Sequence, residues 1–188
     1  MDKRERIIQA AIEVFNELGI EKTKVSKIVK KAGVAQGTFY LYFPSKLSVM
    51  TAIAEKVIEQ YVQKIDEMVD EEGSLPEQLN QIIEAMFTVS REFSDLNMLV
   101  YAGSSSSDQM NEWDKIYSPL YERVQELVAE HQEKGMVRDN TESYRLAKLM
   151  VGLIETTAEQ VYLYDEYKED EEKAQREALK LFLERALQ

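Results

Sequence analysis

The sequence predicts an all-α fold of about nine helices, and three observations carry that prediction. Apolar residues recur at helical spacing along most of the chain, no segment alternates with period two for long, and only 7 glycines and 3 prolines interrupt its 188 residues. With 44% hydrophobic and 31% charged residues, the composition suits a globular chain in water rather than a disordered or fibrous one.

The first helix is predicted from Lys3 to Leu18, with Ile7, Ile8, Ala11, Val14, Phe15 and Leu18 on the buried side and Gln9, Glu13, Asn16 and Glu17 on the other. Gly19 ends it. Thr23 reads as the N-cap of a short second helix that buries Val25, Ile28, Val29 and Ala32 and leaves Lys27, Lys30 and Lys31 outside, with Gly33 closing it. Only Gly33, Val34 and Ala35 separate it from a third helix, Gln36 to Phe43. Such a short glycine-containing turn between two short helices is the sign of a helix-turn-helix. Phe39 and Phe43, four apart, face inward; Thr38, Leu41 and Tyr42 face away, and Tyr40 lies on the flank. Pro44 stops the third helix and Ser45 caps a long fourth one, Lys46 to about Val69, whose apolar side carries Leu47, Met50, Ile53, Ala54, Val57, Ile58, Tyr61 and Ile65. After the break DEEGS, helices are predicted over Leu75–Phe93, Leu96–Tyr101, Gln109–Lys134, Thr141 to about Tyr164, and Lys168–Leu187.

Charge divides this chain. Residues 1–48 hold nine Lys/Arg against five Asp/Glu, a net of +4, whereas residues 49–188 hold fourteen against thirty, a net of −16. The overall charge of −12 therefore hides a basic N-terminal part suited to a polyanion. The absence of cysteine excludes disulfides and thiolate metal sites, and a single histidine, His131, leaves no imidazole cluster, so neither metal nor cofactor is expected. No P-loop, GxSxG or dinucleotide fingerprint occurs, and catalysis is not expected. The N-terminus lacks the apolar run of a signal peptide and no stretch suits a membrane span, so a cytoplasmic protein is expected.

A helix-turn-helix places its second helix in the major groove of DNA and braces it with the first. Here that second helix reads QGTFYLYF. Gly37 would let the backbone approach DNA closely, Thr38 offers a hydroxyl and a methyl, Tyr40 and Tyr42 can reach phosphates, and Gln36 can reach a base edge, most simply adenine. The stretch Thr23 to Lys46, TKVSKIVKKAGVAQGTFYLYFPSK, resembles the DNA-binding motif of the TetR family of bacterial transcriptional regulators, in which AGV, GT, an apolar residue, Y, another residue, YF and SK recur in this order.

The resemblance implies a DNA-binding domain over residues 1–46 and a ligand-binding and dimerisation domain over 47–188. It also implies roles. Thr23 would cap the second helix and touch phosphate, and Ser26 sits where some members read a base. Gln36, Gly37 and Thr38 match the positions nearest the bases, while Tyr40, Tyr42 and Lys46 match backbone contacts. Ala35 departs from the pattern, since many members place a capping Ser or Thr there, a loss of about 1 kcal/mol.

In the second domain, Met86, Phe87, Tyr101, Trp113, Tyr117, Tyr121, Tyr162 and Tyr164 supply aromatic and Met side chains for an apolar or aromatic ligand, with Glu155 and Glu159 as candidate carboxylates. The same residues serve equally as core. By resemblance the last two helices pair with their copies in a homodimer, making Met150, Leu153, Ile154, Leu179, Phe182 and Leu183 candidate contacts, again with intramolecular core as the other reading. The family pattern implies a repressor on a palindromic operator released by a small-molecule effector. A regulator of the same type controlled by a protein partner is the alternative.

Overall fold

The computed structural model describes residues 2–94, 110–164 and 168–188. Among these residues it contains eight α-helices and no strand, in two compact units. The predicted short helix Leu96–Tyr101 lies outside the described residues.

The first unit contains α1 (Lys3–Leu18), α2 (Val25–Ala32), α3 (Gln36–Tyr42) and the start of α4 (Lys46–Met68), through Val57. The Asp2 carboxylate caps α1 by accepting from the Glu5 N–H at 2.7 Å, and Gly19, at φ 75°, ends it. α1 packs on both α2 and α3. The shared core consists of Ile7, Ile8, Val14, Phe15, Ile28 and Phe39, closed by Phe43 and by Val49, Met50 and Ile53 of α4. The start of α4 thus belongs to the N-terminal core, and the packing boundary falls at Val57 rather than at Lys46. Leu18 and Leu47, expected on buried stripes, are 40% and 41% exposed, the one in the last turn of α1 and the other in the first turn of α4.

The tight turn between α2 and α3 is a Schellman motif: Gly33, at φ 64°, donates to the Lys30 carbonyl and Val34 to the Val29 carbonyl. Arg6 of α1 fastens it, donating to the carbonyls of Ala32 (2.6 Å) and Gly33 (3.2 Å). The left-handed backbone favours glycine here, and a side chain at position 33 would have to displace that guanidinium, which lies 2.9 Å from where its Cβ would stand. Ser45 caps α4 as expected, accepting from the Ser48 N–H at 3.1 Å, while Ser48 returns a bond to the Ser45 carbonyl.

The second unit comprises Ile58–Ser94 and Tyr117–Gln188. It holds the end of α4, α5 (Leu75–Glu92), most of α6 (Met110–Glu133), α7 (Ser143–Glu159) and α8 (Glu169–Leu187). A capping box between Ser74 and Glu77 starts α5, and α7 runs on into a π-helical turn, Gln160–Tyr164. α5 is central, with Leu79, Ile82, Ile83, Met86 and Phe87 buried and α7 and α8 packed on it. Polar contacts link this unit's helices at the surface and in the core. Arg123 of α6 holds Asp66 and Glu71, Arg176 of α8 holds Glu84 and Glu172, and the Tyr61 and Ser90 hydroxyls meet at 2.9 Å. Among the described residues no helix is long and apolar enough to cross a membrane.

Candidate nucleic-acid interface

The orientation of α3 follows from one aromatic pair. Phe39 and Phe43 are buried with ring centroids 5.8 Å apart, anchoring one side of the helix in the α1–α4 core. The opposite side is therefore open, with Gly37 exposed and Tyr40, Leu41 and Tyr42 50%, 83% and 44% exposed, and Gln36 is exposed at the helix start. Tyr40 stands edge-on to Phe39 at 5.3 Å, which steadies the ring while leaving the residue half exposed. Thr38 is half-buried. The N-cap position holds Ala35, and no side chain caps the first turn, as the sequence implied.

Gly37 is informative because nothing in the chain requires it. Its backbone is ordinary helix, and a Cβ there would meet nothing within 4 Å. Glycine inside a helix costs about 1 kcal/mol relative to alanine.

The cations around this helix divide into free and engaged sets. Lys22, Lys24, Lys27 and Lys30 are exposed, and none is ion-paired among the described residues. Lys31 is held by Glu13 at 2.9 Å and Glu17 at 2.6 Å; these hydrogen bonds raise its pKa, and the bond to Lys31 lowers that of Glu13. Ser26 is exposed on the first turn of α2.

Two residues expected at DNA contacts turn their side chains inward. Thr23 does not cap α2; the N-cap position is Lys24. The Thr23 side chain is 3% exposed and its hydroxyl donates inward to the Gly19 carbonyl at 2.8 Å, so it fastens the end of α1 rather than facing a phosphate. Lys46 also turns inward. Its ammonium donates to the carbonyls of Ile20, Glu21 and Thr23 (3.1 Å for the last), which engages all three of its N–H groups in tying α4 to the α1–α2 loop. The Thr23 bond closes over four residues, whereas the Lys46 partnership joins positions brought together by the fold, which spacing along one helix does not reveal. Arg6, which locks the turn, was missed for the same reason.

In the second unit, the expected ligand-lining residues separate. Met86 and Phe87 are fully buried, and Phe87 packs against Tyr162, with the Arg176 guanidinium over its ring. Tyr117 and Tyr121 lie together at 5.7 Å, Tyr144 meets Tyr121, and the Lys148 ammonium sits over both Tyr121 and Tyr144. The Tyr117 hydroxyl donates to Glu155 at 2.7 Å. Burial pushes the Glu155 carboxyl up to about 7; the Tyr117 bond opposes this and the charge of Glu159 adds to it. Trp113 is half-buried in the part of α6 that belongs to the first unit. Tyr101 and the side chain of Tyr164 lie outside the described residues. An open groove of about 460 Å³, lined by Glu59, Val62, Gln63, Asp66, Glu67 and Pro119, includes none of the expected residues.

The expected dimer contacts are partly corrected. Met150, Ile154, Leu179 and Leu183 are at most 5% exposed within the single chain, so they form intramolecular core. Leu153 and Phe182 are 36% and 60% exposed, and the neighbouring Leu149 and Leu181, at 69% and 46%, join them as open apolar side chains of α7 and α8.

Comparison with known proteins agrees with this architecture. Residues 7–53 match the family model "Bacterial regulatory proteins, tetR family", and residues 79–187 match "Tetracyclin repressor-like, C-terminal domain". The chain is 35% identical over 185 residues to the uncharacterized HTH-type transcriptional regulator YvdT of Bacillus subtilis, covering 98% of this chain and 95% of that protein. It is 29% identical to the fatty acid metabolism regulator protein of the same organism, over 81% of this chain and 79% of that one. Among solved structures, the transcriptional regulator FadR from Bacillus subtilis in complex with stearoyl-CoA superimposes with a TM-score of 0.80 at 22% identity, covering 98% of this chain and 99% of that one.

Proposed function

Given that the chain belongs to the TetR family of bacterial transcriptional regulators, we propose that it is a homodimeric cytoplasmic repressor that holds a palindromic operator and is released by a small apolar or aromatic effector. The observation that carries the DNA-binding part is the outward face of α3, where an unfilled glycine, an exposed glutamine and two exposed tyrosines stand beside free lysines. Two copies of α3 enter successive major grooves about 34–36 Å apart. Gln36, Gly37 and Thr38 lie nearest the bases; Tyr40 and Tyr42 contact the backbone, and Ser26 approaches from α2. Lys22, Lys24, Lys27 and Lys30 supply the salt-sensitive attraction to phosphate.

The exposed apolar side chains of α7 and α8, Leu149, Leu153, Leu181 and Phe182, support pairing with a second copy, since an isolated chain gains nothing from leaving them in water. For the effector, the FadR neighbour solved with stearoyl-CoA supports a long-chain acyl thioester as the first compound to assay. Such a ligand releases DNA only through its differential affinity for the DNA-bound and released forms.

The test is binding of the purified protein to the DNA upstream of its own coding sequence, followed by fluorescence anisotropy across a salt series. Binding that weakens steeply with salt and with Tyr42→Ala supports the reading. Equal affinity for that DNA and an unrelated duplex, insensitive to Tyr42→Ala, would refute it as a regulator of that site. Stearoyl-CoA that binds the protein yet leaves operator affinity unchanged would refute the release mechanism.

A further inference from the structure

The side chain at the crest of α3 is a leucine. Phe39 is fully buried, and at 3.6 residues per turn the positions two before and two after it lie about 160–200° around the helix. Those positions are Gly37 and Leu41. Leu41 is 83% exposed, more than any other large apolar side chain among the described residues. Tyr40 and Tyr42 flank it, and Gln36 is exposed at the helix start. Gln36 is the one amide side chain of α3, the group whose separate donor and acceptor can bind a base edge bidentately.

From this arrangement we infer that Leu41 is a specificity-determining residue that reads thymine, packing its side chain on thymine C5 methyl groups in the major groove. The inference rests on the DNA-binding reading above and adds a base preference to it. The seven residues of α3 span about 10 Å, short enough for both turns to lie within a groove about 12 Å wide. Gly37, one turn before Leu41, has no side chain to hold the helix off the groove floor, so Leu41 reaches base edges rather than stopping at the rim. The thymine methyl is the one apolar substituent those edges display. Against the polar major-groove edges of guanine, cytosine or adenine, a leucine removes water from donors and acceptors and replaces none of their hydrogen bonds. Against thymine it buries methyl on methyl.

The experiment is selection of duplexes from a random pool with the full-length protein, then replacement of each thymine in the selected duplex by deoxyuridine, which deletes only the major-groove methyl. Wild type is expected to lose about fourfold in affinity at one or more thymines in each half-site, from roughly 0.8 kcal/mol per methyl-sized group at tenfold per 1.4 kcal/mol. Leu41→Ala is expected to bind the unmodified duplex more weakly and to be indifferent to deoxyuridine at those positions, while keeping the wild-type melting temperature because the side chain has no packing to lose. A flat deoxyuridine scan with wild type overturns the inference, as does a Leu41→Ala protein that retains the full deoxyuridine penalty. Failure of any duplex to enrich overturns the DNA-binding reading itself, a separate result from a duplex that enriches and then shows no methyl dependence.

Discussion

Replacing Gly37 by alanine should move stability and DNA affinity in opposite directions. Gly37 is the second residue of α3, with an ordinary helical backbone and open space around the missing Cβ. Alanine at a compatible glycine position stabilises by about 0.4–1 kcal/mol, chiefly by narrowing the unfolded ensemble. For a chain of this size that raises the melting midpoint by roughly 1–4 °C. On DNA the same methyl stands where the backbone approaches the groove, and an added methyl at a close-packed contact costs about 1–3 kcal/mol. The affinity loss is then roughly 5- to 150-fold. Thermal melts and anisotropy titrations on the same preparation measure both quantities. Unchanged affinity would refute the argument that glycine serves close approach, and a fall in stability would show that the position carries an internal constraint absent from the structure.

Three further outcomes are expected. Phe182→Glu places a charge on an exposed apolar face and, if the proposed pairing uses that face, should shift sedimentation toward monomer without lowering helicity; unchanged association would remove this face from the proposed interface. Lys46→Met keeps the stem but deprives the Ile20, Glu21 and Thr23 carbonyls of their donor, and should destabilise the protein by about 1–2 kcal/mol with the salt slope of DNA binding preserved. A phosphate contact would instead leave stability intact and reduce that slope by about one. Glu155 ionises near 7 in the folded chain and near its ordinary 4.5 when unfolded, so its contribution to stability is greatest below pH 4.5 and declines as pH rises to 7. Glu155→Gln cannot ionise, and urea titrations should find it more stable than wild type at pH 8, by up to about 3 kcal/mol, with the gap closing toward pH 4.5. A gap that stays constant with pH would contradict the buried-carboxyl account.

What can be read from the sequence is what depends on neighbours within a turn or two. The extent of α1, the Gly19 and Gly33 stops, the Ser45 cap and the inward pairing of Phe39 with Phe43 all rest on spacings of a few residues, so local chemistry decides them. The outward presentation of Leu41 and Tyr42 follows from the same periodicity, whereas Thr38, expected to face away with them, is half-buried. The structure agrees at each of the other positions.

Lys46 needed the tertiary structure, while Thr23 turns inward to the Gly19 carbonyl only four positions back. Both match DNA-contact positions by resemblance, yet their polar atoms are claimed by carbonyls of the α1–α2 region, which for Lys46 stand 23 to 26 positions away in sequence. The stripes of α7 and α8 show the same division. Sequence marks both helices as broadly apolar, but a stripe wider than one contact face has no unique inward direction. Packing against α5 selects Met150, Ile154, Leu179 and Leu183 as core and leaves Leu149, Leu153, Leu181 and Phe182 open. Periodicity determines which residues share a side of a helix; only the neighbouring helices determine which part of that side loses its water.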